Sequence, residues 1–332
     1  MDLACRAWDF RSVGHSVTGM GNRYSSAAYR ELGEMLRQVR QKAGLSEGEL
    51  ARKLGWPLTT ISRMENGRRT SSTTDVIQYL VMCGLTAPEV APLVDFTRLA
   101  ERKQGYYLSD WLIDGSLQSL IFHESSADHS IIYEPNLIHG LLQTPGYARA
   151  RITAVDDTAE DLVAGVVRTR MERQQVLYLP SPSQFTFYLH EQALRLQVGT
   201  DEFMHEQLLH LVLTAALDHV TVRIVPRAAG EFGGEFHLME FYDHRPIVYL
   251  DNLRFGGLIL EDPHYVNSYS ELVSTLADVA LSEGQSRQLA ADLADAYDRG
   301  SQRGVAEEQL QQRRGNELRG GGVAGPPTPI YE

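Results

Sequence analysis

The side chains best suited to contact another molecule lie close together in the first quarter of the chain. A helix that begins near Leu58 would present five of them on its outer side: Leu58, Thr59, Thr60, Ser62 and Arg63. Most are short, so the helix backbone could enter a DNA major groove, and the Arg63 guanidinium could donate two hydrogen bonds to guanine O6 and N7. We therefore expect Thr59 and Arg63 to read bases, with Thr60 and Ser62 in support.

Basic residues flank this helix on both sides. Four of them are candidates for phosphate contacts that would fix the register on DNA: Arg52, Lys53, Arg68 and Arg69. A preceding helix carries Arg37, Arg40 and Lys42, for which phosphate contact and simple solvation both stay open.

Local signals predict the elements that position these residues. Ser46 and Glu49 have the spacing of a capping box, so a helix should begin there, and Gly55 should end it in a sharp turn. Pro57 suits the first turn of the next helix, which Gly67 should end. Two short helices around a glycine-containing turn make a helix-turn-helix, although an ordinary helical hairpin with a solvated basic face has the same periodicity.

The stretch resembles the XRE family of lambda-repressor-like regulators. The resemblance rests on five groups of residues: Leu45-Ser46, Leu50-Ala51, Gly55, Ile61-Ser62-Arg63 and Glu65-Asn66-Gly67-Arg68. It covers about residues 29–85 and implies double-stranded DNA binding. Such domains often carry Gln where this chain has Glu47 and Leu58, which shifts the expected base reading to Thr59 and Arg63.

Charge is partitioned along the chain. The net charge is −12, yet residues 29–84 hold nine basic and six acidic residues, a net +3. The remaining 22 basic and 37 acidic residues give −15. We expect the acidic part to keep non-specific DNA affinity modest and to make binding strongly dependent on salt.

The composition limits the cellular compartments in which the protein is expected. No stretch of the sequence approaches 18 apolar residues, and the start lacks a secretory signal, so no membrane association is expected. The only cysteines, Cys5 and Cys83, are not expected to form a disulfide, which fits the cytoplasm.

The predicted fold is mainly α with a smaller β part, in five segments. Residues 1–28 lack periodicity and are expected to form a disordered arm, followed by an all-α helix-turn-helix domain at 29–85 and a linker helix at 86–104. Residues 105–299 alternate between helical and strand periods and predict an α+β domain with strands near 131–133, 185–189, 220–226, 236–242 and 247–250. The tail at 300–332 is rich in Gln, Gly and Pro and is expected to be disordered.

The acidic part shows no catalytic motif. It has no H-E-x-x-H, no G-x-S-x-G and no phosphate-binding Gly-Lys loop, so we expect no enzyme activity, no metal and no cofactor. Four arginines beside apolar stretches are candidates to hold an anionic ligand or a partner carboxylate: Arg149, Arg170, Arg173 and Arg195. The alternative is that they pair with acidic residues of the same chain.

This part also resembles a known domain. The resemblance rests on Tyr133-Glu-Pro, on 138–149, on Arg170-x-x-Arg173-Gln174 and on 189–195. It is a bacterial domain of unknown function that follows such helix-turn-helix domains in antitoxin-like regulators, which are often encoded beside a small partner protein. The resemblance implies a regulator that responds to a partner or ligand. We expect a homodimer on a palindromic site; the alternative is an interaction module that neutralises the small partner, with DNA binding secondary.

Overall fold

The computed structural model describes residues 26–108, 117–154, 160–179, 182–251 and 257–299. The chain divides into two compact units, residues 1–103 and 104–332. Apart from residues 26–28, the predicted arm at 1–28 lies outside the described residues, and so does the predicted tail at 300–332. Ser26 caps the first helix and Ala27–Ala28 open it, so this helix begins two residues before the predicted domain boundary.

The described part of the N-terminal unit, residues 26–103, contains five α-helices. They are α1 (Ala27–Lys42), α2 (Glu47–Leu54), α3 (Leu58–Glu65), α4 (Thr73–Met82) and α5 (Ala87–Glu101). The predicted capping box is present, since the Glu49 amide donates to Ser46 Oγ at 3.2 Å and the Ser46 amide donates to Glu49 Oε2 at 2.8 Å. Gly55 ends α2 with φ of 67°, a left-handed conformation that glycine adopts without strain. The helix-turn-helix prediction is therefore confirmed as α2 and α3.

The core of this unit is apolar, and α1 lies very close to α3. Leu32 and Leu36 of α1, Leu50 of α2 and Ile61 of α3 are each at most 1 % exposed. A Cβ atom on Gly33 would lie 2.6 Å from the carbonyl oxygens of both Met64 and Glu65, so only glycine allows this approach.

The helix predicted as a linker packs inside the N-terminal unit. In the structure, α5 contacts both α1 and α4, and its Val90, Val94 and Phe96 are buried. Its start is fixed by Thr86, whose amide donates to Glu89 Oε2 at 2.7 Å. Segment 87–101 is thus part of the folded N-terminal unit.

The C-terminal unit is built on a seven-stranded mixed sheet in the order β1-β7-β6-β5-β2-β3-β4. The strands are β1 (Tyr106–Leu108), β2 (His129–Glu134), β3 (Gln184–His190), β4 (Val220–Val225), β5 (Phe236–Glu240), β6 (Ile247–Leu250) and β7 (Leu258–Leu260). Strands β2, β3 and β4 are parallel, and the other neighbouring pairs are antiparallel.

Helices cover both faces of this sheet. They are α6 (Leu117–Ser126), α7 (Pro145–Thr153), α8 (Glu160–Arg173), α9 (Glu191–Arg195), α10 (Asp201–Thr214), α11 (Pro263–Val279) and α12 (283–299), with short 3-10 turns at Gly140–Leu142, Gln174–Tyr178 and Arg227–Ala229. One core joins Ile132, Phe185 and Phe187 to Leu208 of α10, and the other joins Tyr133 and Phe236 to Leu276 of α11.

The predicted fold class is confirmed, with an all-α helix-turn-helix unit followed by a unit that mixes helices and strands. The central strands and the β5–β6 hairpin lie where the sequence predicts them. The short strands β1 and β7 are additions, and no helix among the described residues is long and apolar enough to cross a membrane.

Candidate nucleic-acid interface

Helix α3 presents a continuous polar face to solvent. Its inward side is made by Ile61, Met64 and Glu65, which are all buried. Thr59 and Arg63 lie one turn apart on the opposite side, and both are exposed. Leu58 is 52 % exposed at the start of the helix, whereas Thr60 and Ser62 are half-buried at the margins of this face. The structure thus brings together the five residues predicted to face a base edge.

The Arg63 side chain has no hydrogen bond or ion pair to any other described residue, so its guanidinium is available to a ligand. Arg52 and Lys53 are exposed in the last turn of α2. Arg68 and Arg69 are exposed just after α3, but Arg69 forms an ion pair of 3.2 Å with Asp75 of α4. A phosphate contact by Arg69 would compete with this ion pair.

A buried ionic network fixes the carboxyl end of α3. The Glu65 side chain is fully buried and accepts hydrogen bonds from Arg40 Nε and Nη2 at 2.7 Å each. It also accepts a hydrogen bond from the Tyr79 hydroxyl at 2.6 Å. The Arg40 pKa is raised, chiefly by the hydrogen bonds to Glu65, and the Tyr79 pKa is raised first by burial. Helices α1, α3 and α4 are therefore tied together at one carboxylate.

The two residues after Glu65 complete this attachment. The Asn66 amide nitrogen donates to the Ser62 carbonyl at 2.7 Å, and its Oδ1 accepts from Arg37 Nη2 at 2.8 Å. Gly67 has φ of 60°, and a Cβ atom there would lie 2.6 Å from Arg30 Cα. Each residue of this Glu-Asn-Gly run contacts α1 and so holds α3 against it; Glu65 and Gly67 are buried, whereas Asn66 is exposed.

The assignment of Arg40 to solvent or phosphate is wrong, because its side chain is only 9 % exposed and is bound to Glu65. Arg37 is also engaged, with Glu34 at 2.9 Å and with Asn66. Sequence reasoning missed the network because Glu65 is 25 residues from Arg40 and 14 residues from Tyr79 along the chain. The available signal was a charged residue, Glu65, at an inward position of a short amphipathic helix.

The four arginines predicted in the C-terminal unit do not form one site. Arg149 pairs with Glu160, and Arg195 pairs with Glu191 at 2.7 Å. Arg173 is buried and makes two hydrogen bonds of 2.9 Å to Glu124. These three arginines therefore follow the alternative in which they pair within the chain.

Arg170 differs from these three arginines, because its hydrogen bond goes to the neutral Gln143 Oε1, at 2.9 Å. Among the described residues it has no carboxylate within ion-pair distance. Burial lowers its pKa, and the charges of Arg173 and Arg151 lower it further. Of the four predicted arginines, Arg170 is thus the one without an ion pair to the described part of the chain.

Arg170 lies against a segment held by the side-chain amides of two glutamines. Gln174 Nε2 donates to the carbonyls of Gly140 and Gln143, at 2.9 and 2.8 Å. Gln207 Nε2 donates to the Leu142 carbonyl at 2.6 Å. The motif residues of 138–149 and 170–174 therefore meet in space, and their glutamines hold the backbone in place.

Comparisons with known families agree with the two units. Residues 31–93 match a helix-turn-helix domain family, which supports DNA binding by the N-terminal unit. Residues 117–292, more than half of the chain, match the family described as a domain of unknown function, DUF5753. No curated protein matches the chain. The chain belongs to the DUF5753 family and carries a helix-turn-helix domain in front of that family's domain.

Proposed function

We propose that this protein is a sequence-specific DNA-binding regulator of transcription that docks α3 in the major groove. The observation that carries the proposal is that α3 has two different sides. Its buried side is bound to α1 and α4, and its exposed side is centred on Thr59 and Arg63. A recognition helix needs both, since base contacts discriminate only when the helix cannot shift.

The side chains on the exposed face match the chemistry of base edges. The Arg63 guanidinium suits guanine O6 and N7, and the Thr59 hydroxyl can donate to or accept from several bases. The exposed methyl groups of Leu58 suit the C5-methyl group of thymine, which gives this residue a role where related domains carry an amide. Arg52, Lys53 and Arg68 would fix the register through phosphates.

The proposal includes a homodimer, in which the C-terminal unit senses a partner or ligand and contributes to dimerisation. One eight-residue recognition helix makes few base contacts, whereas two copies on a palindrome double them. The exposed α4 side chains Ile77 and Val81 offer apolar surface in the N-terminal unit. Sedimentation with and without a palindromic duplex would measure the stoichiometry.

The decisive experiment measures DNA binding of the full chain by fluorescence anisotropy. The probe is the DNA upstream of its own gene, at two salt concentrations, with random DNA as competitor. Selective and salt-sensitive binding supports the proposal. If no selectivity appears there, binding-site selection from a random duplex library serves as the second test, and failure in both refutes sequence-specific binding.

Substitution of Arg63 tests the assignment within α3. Arg63→Ala should weaken binding to the selected site by about 1–3 kcal/mol and relax one base position. Arg98→Ala is the matched control, because Arg98 is exposed on α5 and its ion pair within the described ranges is with Asp95. Equal losses for the two variants, or an unchanged base preference for Arg63→Ala, would remove Arg63 from the base-reading set.

Substitution of the flanking basic residues tests the phosphate assignments. Arg52→Ala, Lys53→Ala and Arg68→Ala should each weaken all sequences alike and reduce the salt slope by about 1. Arg69→Ala should have a smaller effect than Arg52→Ala or Lys53→Ala, because Arg69 is bound to Asp75 in the free protein. A loss confined to one sequence would contradict a phosphate role.

The alternative function is an antitoxin-like module that neutralises a small protein encoded nearby. The acidic charge of the C-terminal part favours a basic partner. Glu47 does not need this explanation, since it occupies the first turn of α2 and there stabilises the helix dipole. Pull-down of the neighbouring gene product by a chain that binds no DNA would favour the alternative.

A further inference from the structure

A cavity of about 870 Å³ lies between α11 and one edge of the C-terminal sheet. Four strand ends meet at this edge, because β2 and β6 end there and β5 and β7 begin there. Gly233 and Gly234 line the cavity from the loop before β5, and a Cβ atom on either would meet no other atom within 4 Å. The loop therefore leaves the space open, and its volume is in the range of about 300–1,000 Å³ that is typical of small-molecule sites.

The walls of the cavity are largely apolar and partly aromatic. Side chains that line it are Leu250, Leu258, Leu272, Phe232, Tyr265 and Tyr269. The Tyr269 ring packs on Phe236, with 5.0 Å between ring centroids, and the Phe232 ring lies 6.5 Å from that of Tyr133. Tyr265 is 45 % exposed, so its ring can be reached from solvent. These walls suit an apolar body, and aromatic faces also attract cations.

The charged side chains among the described lining residues are both carboxylates. Glu235 immediately precedes β5, and Asp251 immediately follows β6. No Lys, Arg or His is among those lining residues. Within the ranges that the structure describes, neither carboxylate forms an ion pair with a basic side chain. The cavity thus combines apolar walls with two negative charges.

The two carboxylates lie across from each other on neighbouring strands. His237 of β5 pairs with Tyr249 of β6. Continued by two residues, this register sets Glu235 directly opposite Asp251, an arrangement that is unfavourable for like charges. Burial raises the pKa of Glu235 and the charge of Asp251 raises it further, whereas the charge of Arg151 acts in the opposite direction. A cation bound between the two carboxylates would relieve their repulsion.

We propose that this cavity binds a small organic cation, namely an amine with an apolar or aromatic body. The ammonium group lies between Glu235 and Asp251, and the body lies against the leucine and aromatic walls. An anion of the same shape would be repelled by both carboxylates, and a neutral molecule would leave their repulsion in place. The site therefore selects both the charge and the body of its ligand.

The inference deepens the sensing role proposed for the C-terminal unit and rests on that proposal only for an effect on DNA binding. Ligand binding is measured without DNA, so failure of the ligand site and failure of DNA recognition are separate results.

The test is isothermal titration of the full chain with three probes that share one body: 3,3-diphenylpropylamine, 3,3-diphenylpropanol and 3,3-diphenylpropionate. A second set with a fused-ring body is 2-(1-naphthyl)ethylamine, 2-(1-naphthyl)ethanol and 1-naphthylacetate. The chain has a net charge of −12, so the titrations are done at physiological ionic strength to screen non-specific attraction of the amines.

The expected result is that, in at least one set, one amine molecule binds per chain and binds at least about tenfold more tightly than the alcohol and the acid. An alcohol that matched its amine would mean a purely apolar cavity, and an acid that bound more tightly would mean an anion site. If neither set reaches the expected margin, or if no probe shows saturable binding, the proposal is wrong.

Charge-removing variants test the two carboxylates. Glu235→Gln and Asp251→Asn should each weaken amine binding about tenfold and leave the alcohol unchanged, which also shows that the cavity is intact. The two variants are independent, so loss of folding in one leaves the other as the test. Glu271→Gln is the matched control, because Glu271 is exposed on α11 and is not among the lining residues. Equal effects of the control and the test variants would contradict the site.

A variant of the aromatic wall tests the position of the body. Tyr265→Ala should weaken both the amine and the alcohol, the amine by about 2–5-fold. Tyr242→Ala is its control, because Tyr242 is 91 % exposed and is not among the lining residues. Unchanged binding by Tyr265→Ala, or the same loss in both variants, would count against a ligand body held at α11.

Discussion

Removing the carboxylate of Glu65 should destabilise the N-terminal unit far more than removing a surface charge. Glu65 is fully buried and Arg40 is only 9 % exposed, so Glu65→Met leaves a guanidinium in the core without its counter-ion. Breaking a buried pair in this way costs about 3–5 kcal/mol. Whole domains are stable by only about 5–15 kcal/mol, so one substitution should bring this unit close to unfolding.

A double-mutant cycle measures the interaction energy between Glu65 and Arg40 separately from the cost of losing each side chain. Arg40→Met alone should cost a similar amount, because it leaves the Glu65 carboxylate buried. The double variant, with methionine at both positions, should cost far less than the sum, giving a coupling energy of at least about 2 kcal/mol. The Tyr79 hydroxyl loses Glu65 as acceptor in this variant but keeps the Leu36 carbonyl, 3.1 Å away.

The assay is urea unfolding of the full chain followed by tryptophan fluorescence. The chain has three tryptophans, and Trp56 lies in the turn between α2 and α3. Trp8→Phe and Trp111→Phe in the background leave Trp56 as the only tryptophan, so the signal reports the N-terminal unit.

The control is the exposed pair of Arg98 and Asp95, whose side chains are 61 % and 51 % exposed. Arg98→Met should cost less than about 1 kcal/mol, as expected for an exposed pair. If Glu65→Met cost no more than this control, or if the two methionine substitutions were simply additive, the network would not be what fixes α3.

Three further predictions concern close packing, a thiol and a carboxyl group. Gly33→Ala should cost about 1–3 kcal/mol in the same urea assay, because α1 must move away from α3, whereas Gly48→Ala, in open space on α2, should stabilise by about 0.5–1 kcal/mol. Burial raises the pKa of the Cys83 thiol to about 11, so in a Cys5→Ser background it should react with a disulfide reagent at pH 8 roughly 100-fold more slowly than in urea. The pKa of Glu134 is raised by burial, so the native state binds more protons than the unfolded state above pH about 4.5. The free energy of unfolding should therefore fall as pH rises through that range. The urea midpoint should show this fall, and Glu134→Gln should make it less steep.

Local signals were enough to predict the elements of the N-terminal unit. The Ser46 and Glu49 spacing, Gly55 and Pro57 act within one turn of the chain, so their effect can be read from neighbouring residues. The inner strands of the C-terminal unit were predictable for a similar reason, because alternation along a half-buried strand, as in 220–225, is local.

The parts that escaped prediction depend on distant partners. Strands β1 and β7 have three residues each, and they are strands only through pairing with distant segments: β1 pairs with β7, and β7 pairs with both β1 and β6. The helix α5 has the periodicity of any amphipathic helix, so its packing against α1 and α4 could not be separated from a linker role. Arg170 was predicted from its residue type, but its lack of an ionic partner in the described part of the chain depends on the positions of Glu124 and Gln143.

The Glu65-Asn66-Gly67 run explains why resemblance predicts this fold better than it predicts the bases read. Glu65 acts through a buried ion pair, Asn66 through hydrogen bonds to Ser62 and Arg37, and Gly67 through the absence of a Cβ beside Arg30. All three effects position α3 and none requires DNA. The exposed face of α3 has no such internal constraint, so its residues are free to differ between proteins with the same run. The operator that this chain selects must therefore be argued from its own exposed residues, and those at the centre of the face are Thr59 and Arg63.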